Sequence, residues 1–273
     1  MGLRDYSLYD FIHHNAATAG SAPAIITAEQ TITNLQFLEG VDQLAAGLNE
    51  QEINKGDRIC ILAQTSAQYL ELYGACAKIG AVAYPINWRL SAAAVRDVLN
   101  LADPTMLVTG VGHLPQLESS DASKIQLRAI IGPGSAEGFI PLADLYRPPT
   151  GNHIEVHPDD PFAIISTAAV EGVPRGAVLT HANLITAGYL IITQLGLCAQ
   201  DRHLAALPLL HITGLALSVC MIQTGGANVV LEAFDPAKAV QMMDEHDVSL
   251  MAVFPPILSK LLDARQAANA SWE

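Results

Sequence analysis

Short apolar runs alternate along the chain with stretches whose apolar residues recur every three or four positions. "PAIIT" (Pro23–Thr27) and "QTIT" (Gln30–Thr33) are brief, β-branched and bounded by polar residues, which predicts a hairpin. "NLQFLEGVDQLAAGLNEQ" follows, with Leu35, Leu38, Val41, Leu44, Ala45 and Leu48 at helical spacing and Asn34 placed as the N-cap. The turn "NKGDR" leads to a buried strand at "ICILA". Helix "SAQYLELYGACAKIG", strand "AVAYP", helix "SAAAVRDVLNLA" and strand "TMLVTG" come next. Ser91 before the third helix and Gly80 after the second are start and stop signals of the expected kind. Strands alternating with helices of this length predict βαβ units on largely parallel sheets, an α/β fold.

From Gly132 to Pro158 the pattern weakens, and "GPGSAEGF" and "YRPPTGNHIEVHPDDP" read as connecting loops. Periodicity returns at "FAIIS" and continues through "AVLT", "HANLITAGYLII", "RHLAALPLLH", "GANVVL", "FDPAKAVQMMDEH", "VSLMAV" and "PPILSKLLDARQ". The final "ANASWE" brings no closing strand, so the chain reads as a fragment of a longer polypeptide. Residues 204–222 are uncharged and nearly long enough to span a bilayer. Pro208, His211, Thr213 and Gly214 interrupt them, and a buried strand, loop and helix explain the run better.

Composition narrows the picture without changing it. A chain of 273 residues, 51% hydrophobic and 15% charged, is globular with a large interior. The formal charge of −13 and the lack of any Lys/Arg cluster argue against a nucleic-acid partner. Cys60, Cys76, Cys198 and Cys220 form no CxxC pair and sit in apolar surroundings, so they read as buried, reduced thiols. With no apolar leader at the N-terminus, the chain reads as cytoplasmic and soluble, without a transmembrane segment.

Two stretches are candidates for chemistry. In "AIISTAAVEGVPRGAVLTHANL" (Ala163–Leu184), an apolar strand enters a loop that leads through a second strand into a helix. Gly172 and Gly176 permit close backbone approach, and Arg175 offers a permanent cation suited to phosphate oxygens. On the residues alone, a simple Pro-Gly turn with Arg175 on the surface is the favoured reading; the stretch matches neither GxxxxGK[ST] nor GxGxxG. In "PLLHITGL" (Pro208–Leu215), His211 follows an apolar strand, where open α/β sheets bind ligands, or else it is a partly buried histidine satisfied by a backbone carbonyl. "HPDD" (His157–Asp160) and His13-His14 are weaker candidates that read as solvated surface, and no metal site is assigned.

Taken in order, these segments resemble the adenylate-forming (AMP-forming) acyl-CoA synthetases, the fatty-acid and coumarate-type CoA ligases among them. "NKGDRICILAQTSAQYLELYGACAKIGAVAYPINWRL" resembles that family's GDRV…NS…A…K.GAV..P.N.RL pattern. "GVPRGAVLTHANL" is similar to the second half of its phosphate loop, TSGTTGxPKGVxxTHxNL. "LPLLHITGL" resembles PLFHxxGL, and "GGANVVLEAFDPAKAVQMMDEHDVSLMAVFPPILSKLL" resembles the segment that follows. The resemblance implies the N-terminal domain portion of that fold, with two sheet-containing subdomains and helices packed between them. One subdomain would hold residues 1–58 and 196–273, with the acyl-pocket segment. The other would hold residues 59–195 and end in the phosphate-loop-like segment.

The implied reaction joins ATP and a carboxylic acid to an acyl-adenylate, releasing pyrophosphate, after which CoA displaces AMP. ATP, Mg2+ and CoA are thus implied as cofactors and co-substrates, a fatty or other apolar acid as substrate, and a homodimer is an open option. Carried across by position, Thr167, Gly172, Pro174 and Gly176 keep the loop's pattern and Arg175 replaces its lysine. Ala168 and Ala169 stand where serine and glycine are usual, and Val170 and Glu171 where two hydroxylic residues are usual. Each lost hydroxyl forgoes about 1.5–3 kcal/mol of charge-assisted bonding. Glu171 beside a polyanion costs about 1 kcal/mol more if solvated. His211 matches the histidine at the acyl and adenylate end, and Thr213 and Gly214 lie in the same pocket segment; the aliphatic "GLALSVCMIQTGGA" would form part of its wall. The adenine, ribose and magnesium motifs and the lysine-bearing C-terminal domain are not in these residues, so the chain alone would be inactive. The alternative readings are a ligase-derived binding or regulatory protein with a degenerate phosphate loop, and a non-ribosomal adenylation domain.

Overall fold

The computed structural model describes residues 5–149, 151, 154–167 and 175–268. Helix α1 (Leu8–Ala19) precedes the hairpin β1 (Pro23–Ile26) and β2 (Thr31–Thr33), and helix α2 (Asn34–Glu50) follows. Next come β3 (Arg58–Leu62), α3 (Ala67–Ile79), β4 (Val82–Pro85), α4 (Ala92–Ala102), β5 (Met106–Thr109), β6 (Leu127–Ile130) and β7 (Ile140–Pro141). The antiparallel pair β8 (Pro161–Ser166) and β9 (Gly176–Thr180) then feeds α5 (His181–Leu195). The chain continues through β10 (Arg202–Ala205), α6 (Ile212–Thr224), β11 (Ala227–Val230), α7 (Pro236–Glu245), β12 (Leu250–Met251) and α8 (Pro255–Ala268).

The expected hairpin, the βαβ alternation and the cap at Ser91 are present, and Ser66 and Thr180 cap α3 and α5. The cap of α2 is one residue earlier than expected. Thr33 Oγ1 accepts from the Gln36 N–H and Gln36 Oε1 accepts from the Thr33 N–H, a reciprocal capping box. Asn34 is instead buried, its amide donating to the Ala19 carbonyl. The pattern did not delineate α1, β6 or β7, and β7 lies within the 132–158 stretch read as loop. Cys198 also departs from expectation: it is exposed, whereas Cys60, Cys76 and Cys220 are buried.

The strands form two mixed sheets, ordered β12-β10-β11-β1-β2 and β7-β6-β5-β3-β4-β8-β9. Every neighbouring pair is parallel except the hairpins β1/β2 and β8/β9. Alternation along each strand sorts its side chains into separate cores, because successive residues face opposite sides of a sheet. Ile59, Ile61, Met106 and Val108 face inward, while Cys60, Leu62 and Leu107 face outward onto Val95, Val98 and Leu99 of α4. In the other sheet Ile25 and Val230 face inward, while Ile26, Leu204 and Val229 face outward onto Val240 and Met242 of α7 and Leu261 of α8. Between the sheets lie α1, α2, α3, α5 and α6, represented by Ile12, Val41, Leu72, Leu184 and Leu215. The result is five layers, helix–sheet–helices–sheet–helix. No helix among the described residues is long and apolar enough to cross a membrane, and 204–222 is the strand β10, a turn and α6.

Two buried histidines sit in these layers. His181 opens α5, and its Nδ1 accepts from the Leu8 N–H at 3.2 Å. His203 of β10 pairs through Nδ1 with Asn228 Oδ1 at 3.2 Å, and Asn228 Nδ2 donates to the Ser218 carbonyl. Burial is the main cause that pulls both from 6.5 down to about 4. They are neutral when folded and basic when unfolded, so their contribution is whole above pH 6.5 and is lost as pH falls toward 4. Each is worth of order 3 kcal/mol over that window. We expect His203→Asn, which keeps a donor toward Asn228, to lower stability near neutrality yet flatten its fall toward acid. Urea midpoints at about pH 7.5 and about pH 5 will show this as a smaller drop for the variant than for the parent.

Candidate functional site

In parallel sheets the carboxyl ends of the strands open onto the loops that can hold a ligand. Here the carboxyl ends of both sheets meet at one cavity of about 480 Å³. Gln64 and Thr65 follow β3, Trp88 and Arg89 follow β4, Leu207 and Pro208 follow β10, Glu232 and Phe234 follow β11, and Phe254 follows β12. His211 and Lys260 complete the wall. A second cavity of about 410 Å³ shares Gln64, Thr65 and Glu232 with it and extends to Gly110, His113 and Gly132, beyond β5 and β6.

His211 is the residue before α6 and has extended backbone angles, φ −103° and ψ 142°. Its N–H donates to the Pro208 carbonyl at 3.1 Å, and its own carbonyl receives the Leu215 N–H. The ring stands accessible at the cavity rim. Partial enclosure, and then the Arg89 charge, lower its pKa below the ordinary value, so the imidazole is neutral at neutral pH. A neutral ring offers one donor and one acceptor, which suits it to orient a carboxylate without titrating against it. Arg89 is itself held in place. Its guanidinium lies 4.4 Å from the centre of the Trp88 ring, its N–H donates to Asn87 Oδ1, and Gln116 Nε2 donates to the Trp88 and Leu90 carbonyls.

Thr213 is exposed in the first turn of α6 and Gly214 is buried beneath the preceding loop. The glycine is required sterically: a Cβ there would lie 2.4 Å from the Pro208 oxygen and 2.7 Å from the Leu207 oxygen. Further along α6, Leu215 and Val219 are buried in the central layer. The segment's aliphatic character is therefore accounted for by core packing, and it carries no information about a substrate.

At the other candidate stretch, Thr167 leaves β8 at the same end of the sheet as the carboxyl ends of β3 and β4. The N–H and Oγ1 of Thr167 both donate to the Arg175 carbonyl, at 2.7 and 3.2 Å, closing the neck of the hairpin. Gly176 packs where a Cβ would meet the Ile164 side chain at 2.5 Å, and Arg175 is exposed. Ala168, Ala169, Val170, Glu171 and Gly172 lie outside the described residues. Among the described residues no group of three His, Cys, Asp or Glu side chains could hold a metal ion. "HPDD" is used structurally: Asp160 accepts from the His157 N–H at 2.5 Å and pairs with Lys55 at 2.6 Å. The cavity residues Gln64, Thr65 and Glu232 were not singled out from sequence, and Arg89 entered only as part of the P.N.RL pattern, with no role assigned. Their signal was position alone, directly after apolar strands.

Gly214→Ala will push the first turn of α6 off the 207–208 loop. We expect a loss of about 1–3 kcal/mol in stability, read as a lower thermal midpoint, with the His211 ring displaced from the cavity rim in a crystal structure of the variant.

Comparison with known proteins agrees with this geometry. The sequence profile described as AMP-binding enzyme matches residues 12–272. A 2-succinylbenzoate–CoA ligase of Arabidopsis thaliana is 26% identical over 94% of this chain and 48% of its own length. A feruloyl-CoA synthase of Amycolatopsis is 27% identical over 99% of this chain and 52% of its own length. The chain thus spans about half the length of these curated relatives. Among solved structures, one provisionally assigned as a long-chain-fatty-acid CoA ligase from Rhodopseudomonas palustris superposes with a TM-score of 0.90 at 35% identity, covering 96% of this chain and 67% of that one. A profile match across nearly all of the sequence, and a fold shared with the N-terminal domains of adenylate-forming ligases, together establish that the chain belongs to the AMP-binding enzyme family.

Proposed function

We propose that the whole protein is an AMP-forming acid–thiol ligase, and that this chain supplies its carboxylate-binding cavity and part of its ATP site. The observation that supports the reading best is the cavity where both sheets end, with His211 at its rim, in a chain of this family. In the first step a carboxylate oxygen bonds to the α-phosphorus of ATP while the bond to the β-bridging oxygen breaks, and pyrophosphate leaves with the electron pair. The thiol of CoA then attacks the acyl carbon and AMP departs. The chain's contribution is to bind and orient, a task in which positioning supplies much of the rate. His211 holds the acid at the cavity rim, and Thr167, Arg175 and Gly176, with the loop residues Ala168 to Gly172 between them, present the ATP phosphates. Mg2+ belongs to the same proposal; it would be held by residues outside this chain. The division at residues 58/59 and 195/196, supported by the sheet memberships, and a cytoplasmic setting, supported by four free cysteines, belong to it too, as does a homodimer.

The acid is apolar or aromatic in this proposal. Trp88, Phe234, Phe254, Leu207 and Ile257 give the cavity an apolar body, and 480 Å³ accommodates a drug-sized acid. A second reading, a ligase-derived binding protein, is favoured by the run Ala168-Ala169-Val170-Glu171, which replaces hydroxyls and a glycine with methyl groups and a carboxylate.

Carboxylate-dependent ATP–pyrophosphate exchange, measured on the full-length protein, tests the first reading. We expect exchange with an apolar or aromatic acid and a loss of roughly a hundredfold in kcat/KM for His211→Ala. Silence with short, long and aromatic acids alike would discard it. Restoring Ser, Gly, Thr and Thr at positions 168–171 then separates the readings: a gain in ATP affinity shows that the loop alone was limiting, whereas unchanged silence leaves the binding protein.

A further inference from the structure

The stretch that carries His211 leaves strand β10 and has no sheet to hold it. At its centre Leu209 is buried, and both of its backbone polar groups are met by side chains. The Leu209 carbonyl accepts from the Tyr73 hydroxyl at 3.1 Å, and the Leu209 N–H donates to Thr65 Oγ1 at 3.3 Å. Buried backbone groups need such partners, so two side chains fix the backbone two residues before His211. Both come from the neighbourhood of α3: Thr65 just precedes the helix and Tyr73 sits in its middle.

Tyr73 does more than meet that carbonyl. Its ring packs on Phe162 of β8, centroids 5.7 Å apart, and Phe162 packs on His181 at 5.0 Å. His181 directly follows β9 and is latched to the first turn of α1 through the Leu8 N–H. One buried file of side chains, His181–Phe162–Tyr73, thus joins the root of the β8–β9 hairpin to the backbone before His211. We propose that Tyr73 is a positioning residue that sets His211 relative to the β8–β9 hairpin. It touches no reacting atom. Its ring keys to the hairpin, and its hydroxyl keys to the His211 turn. The inference rests on the proposed ligase reading only for the meaning of His211, not for the geometry itself.

Tyr73→Phe in the whole protein removes the hydroxyl and keeps the ring. The decisive readout is the titration of His211, followed by NMR of isotope-labelled histidine. With the turn released, His211 leaves the partial enclosure and the neighbourhood of Arg89, and its pKa rises toward the ordinary value. Should the protein catalyse exchange, KM for the acid rises roughly fivefold, in keeping with one lost hydrogen bond, while KM for ATP stays within about twofold. A His211 titration that does not move overturns the proposal, even if the thermal midpoint falls, because packing alone would then describe Tyr73. Equal rises in both KM values overturn it as well, since they mean general loosening. Absence of exchange in the parent protein removes the ligase reading but leaves the titration to decide the role of Tyr73. Thr65→Val, which deletes the other tether of Leu209, is expected to raise the His211 pKa too, and it carries the test if Tyr73→Phe does not fold.

Discussion

Burial of the two inward sheet faces against one shared layer of helices is the constraint on which the rest of the molecule depends. Ile25 and Val230 on one side and Ile59, Ile61 and Val108 on the other press on α1, α2, α3, α5 and α6. Apolar surface removed from water contributes about 25 cal/mol per Å², so neither sheet can shed the helices without a large loss. Since the same helices serve both sheets, the direction in which each sheet's strands run is not independent of the other. The carboxyl ends converge, and the loops that follow β3, β4, β10, β11 and β12 face one another across a single cavity.

That convergence explains why polar chemistry lies at the edge of an apolar protein. An overall charge of −13 would discourage anionic ligands, yet Arg89 and Lys260 stand in the cavity wall and Arg175 at the hairpin neck. Local placement of a few cations, rather than total charge, decides what an individual cleft attracts. The buried histidines His181 and His203 are uncharged at neutral pH, and burial also raises the carboxyl pKa of Glu71, which accepts the Tyr146 hydroxyl.

Much of the fold was legible because period-two and helical patterns are separate and strong in β3, α3, β4 and β5. The exceptions have physical causes. In β6, "LRAI" carries a charged residue at its second position, so its pattern is short and interrupted; the strand exists because β5 offers it a parallel partner. Helix α1 presents only Leu8, Ile12 and Asn15 as buried positions, and a buried asparagine breaks the apolar stripe. For the site, the ordered motifs pointed to His211 and to the β8–β9 hairpin. The opposite wall was not legible as a wall, because Gln64, Arg89 and Glu232 are brought together only by the packing of separate strands, although Arg89 had matched a family pattern. Cap chemistry was legible to within a residue: Thr33 rather than Asn34, since Gln36 completes a box only with the threonine.

The order in which strands enter the sheets also governs how the molecule is made. The seven-stranded sheet draws on one continuous stretch, Arg58 to Thr180, and can pair as it is synthesised. The five-stranded sheet cannot. Ile25 pairs with Asn228, so β1 is made long before its parallel neighbour β11. Until then β1 has only the short hairpin strand β2 beside it in the sheet. Such non-local pairing is slow and leaves apolar surface open meanwhile. Within this chain β1 is therefore the strand that waits for its parallel neighbour, and chaperone demand should fall on it rather than on the later-made part that carries the candidate site.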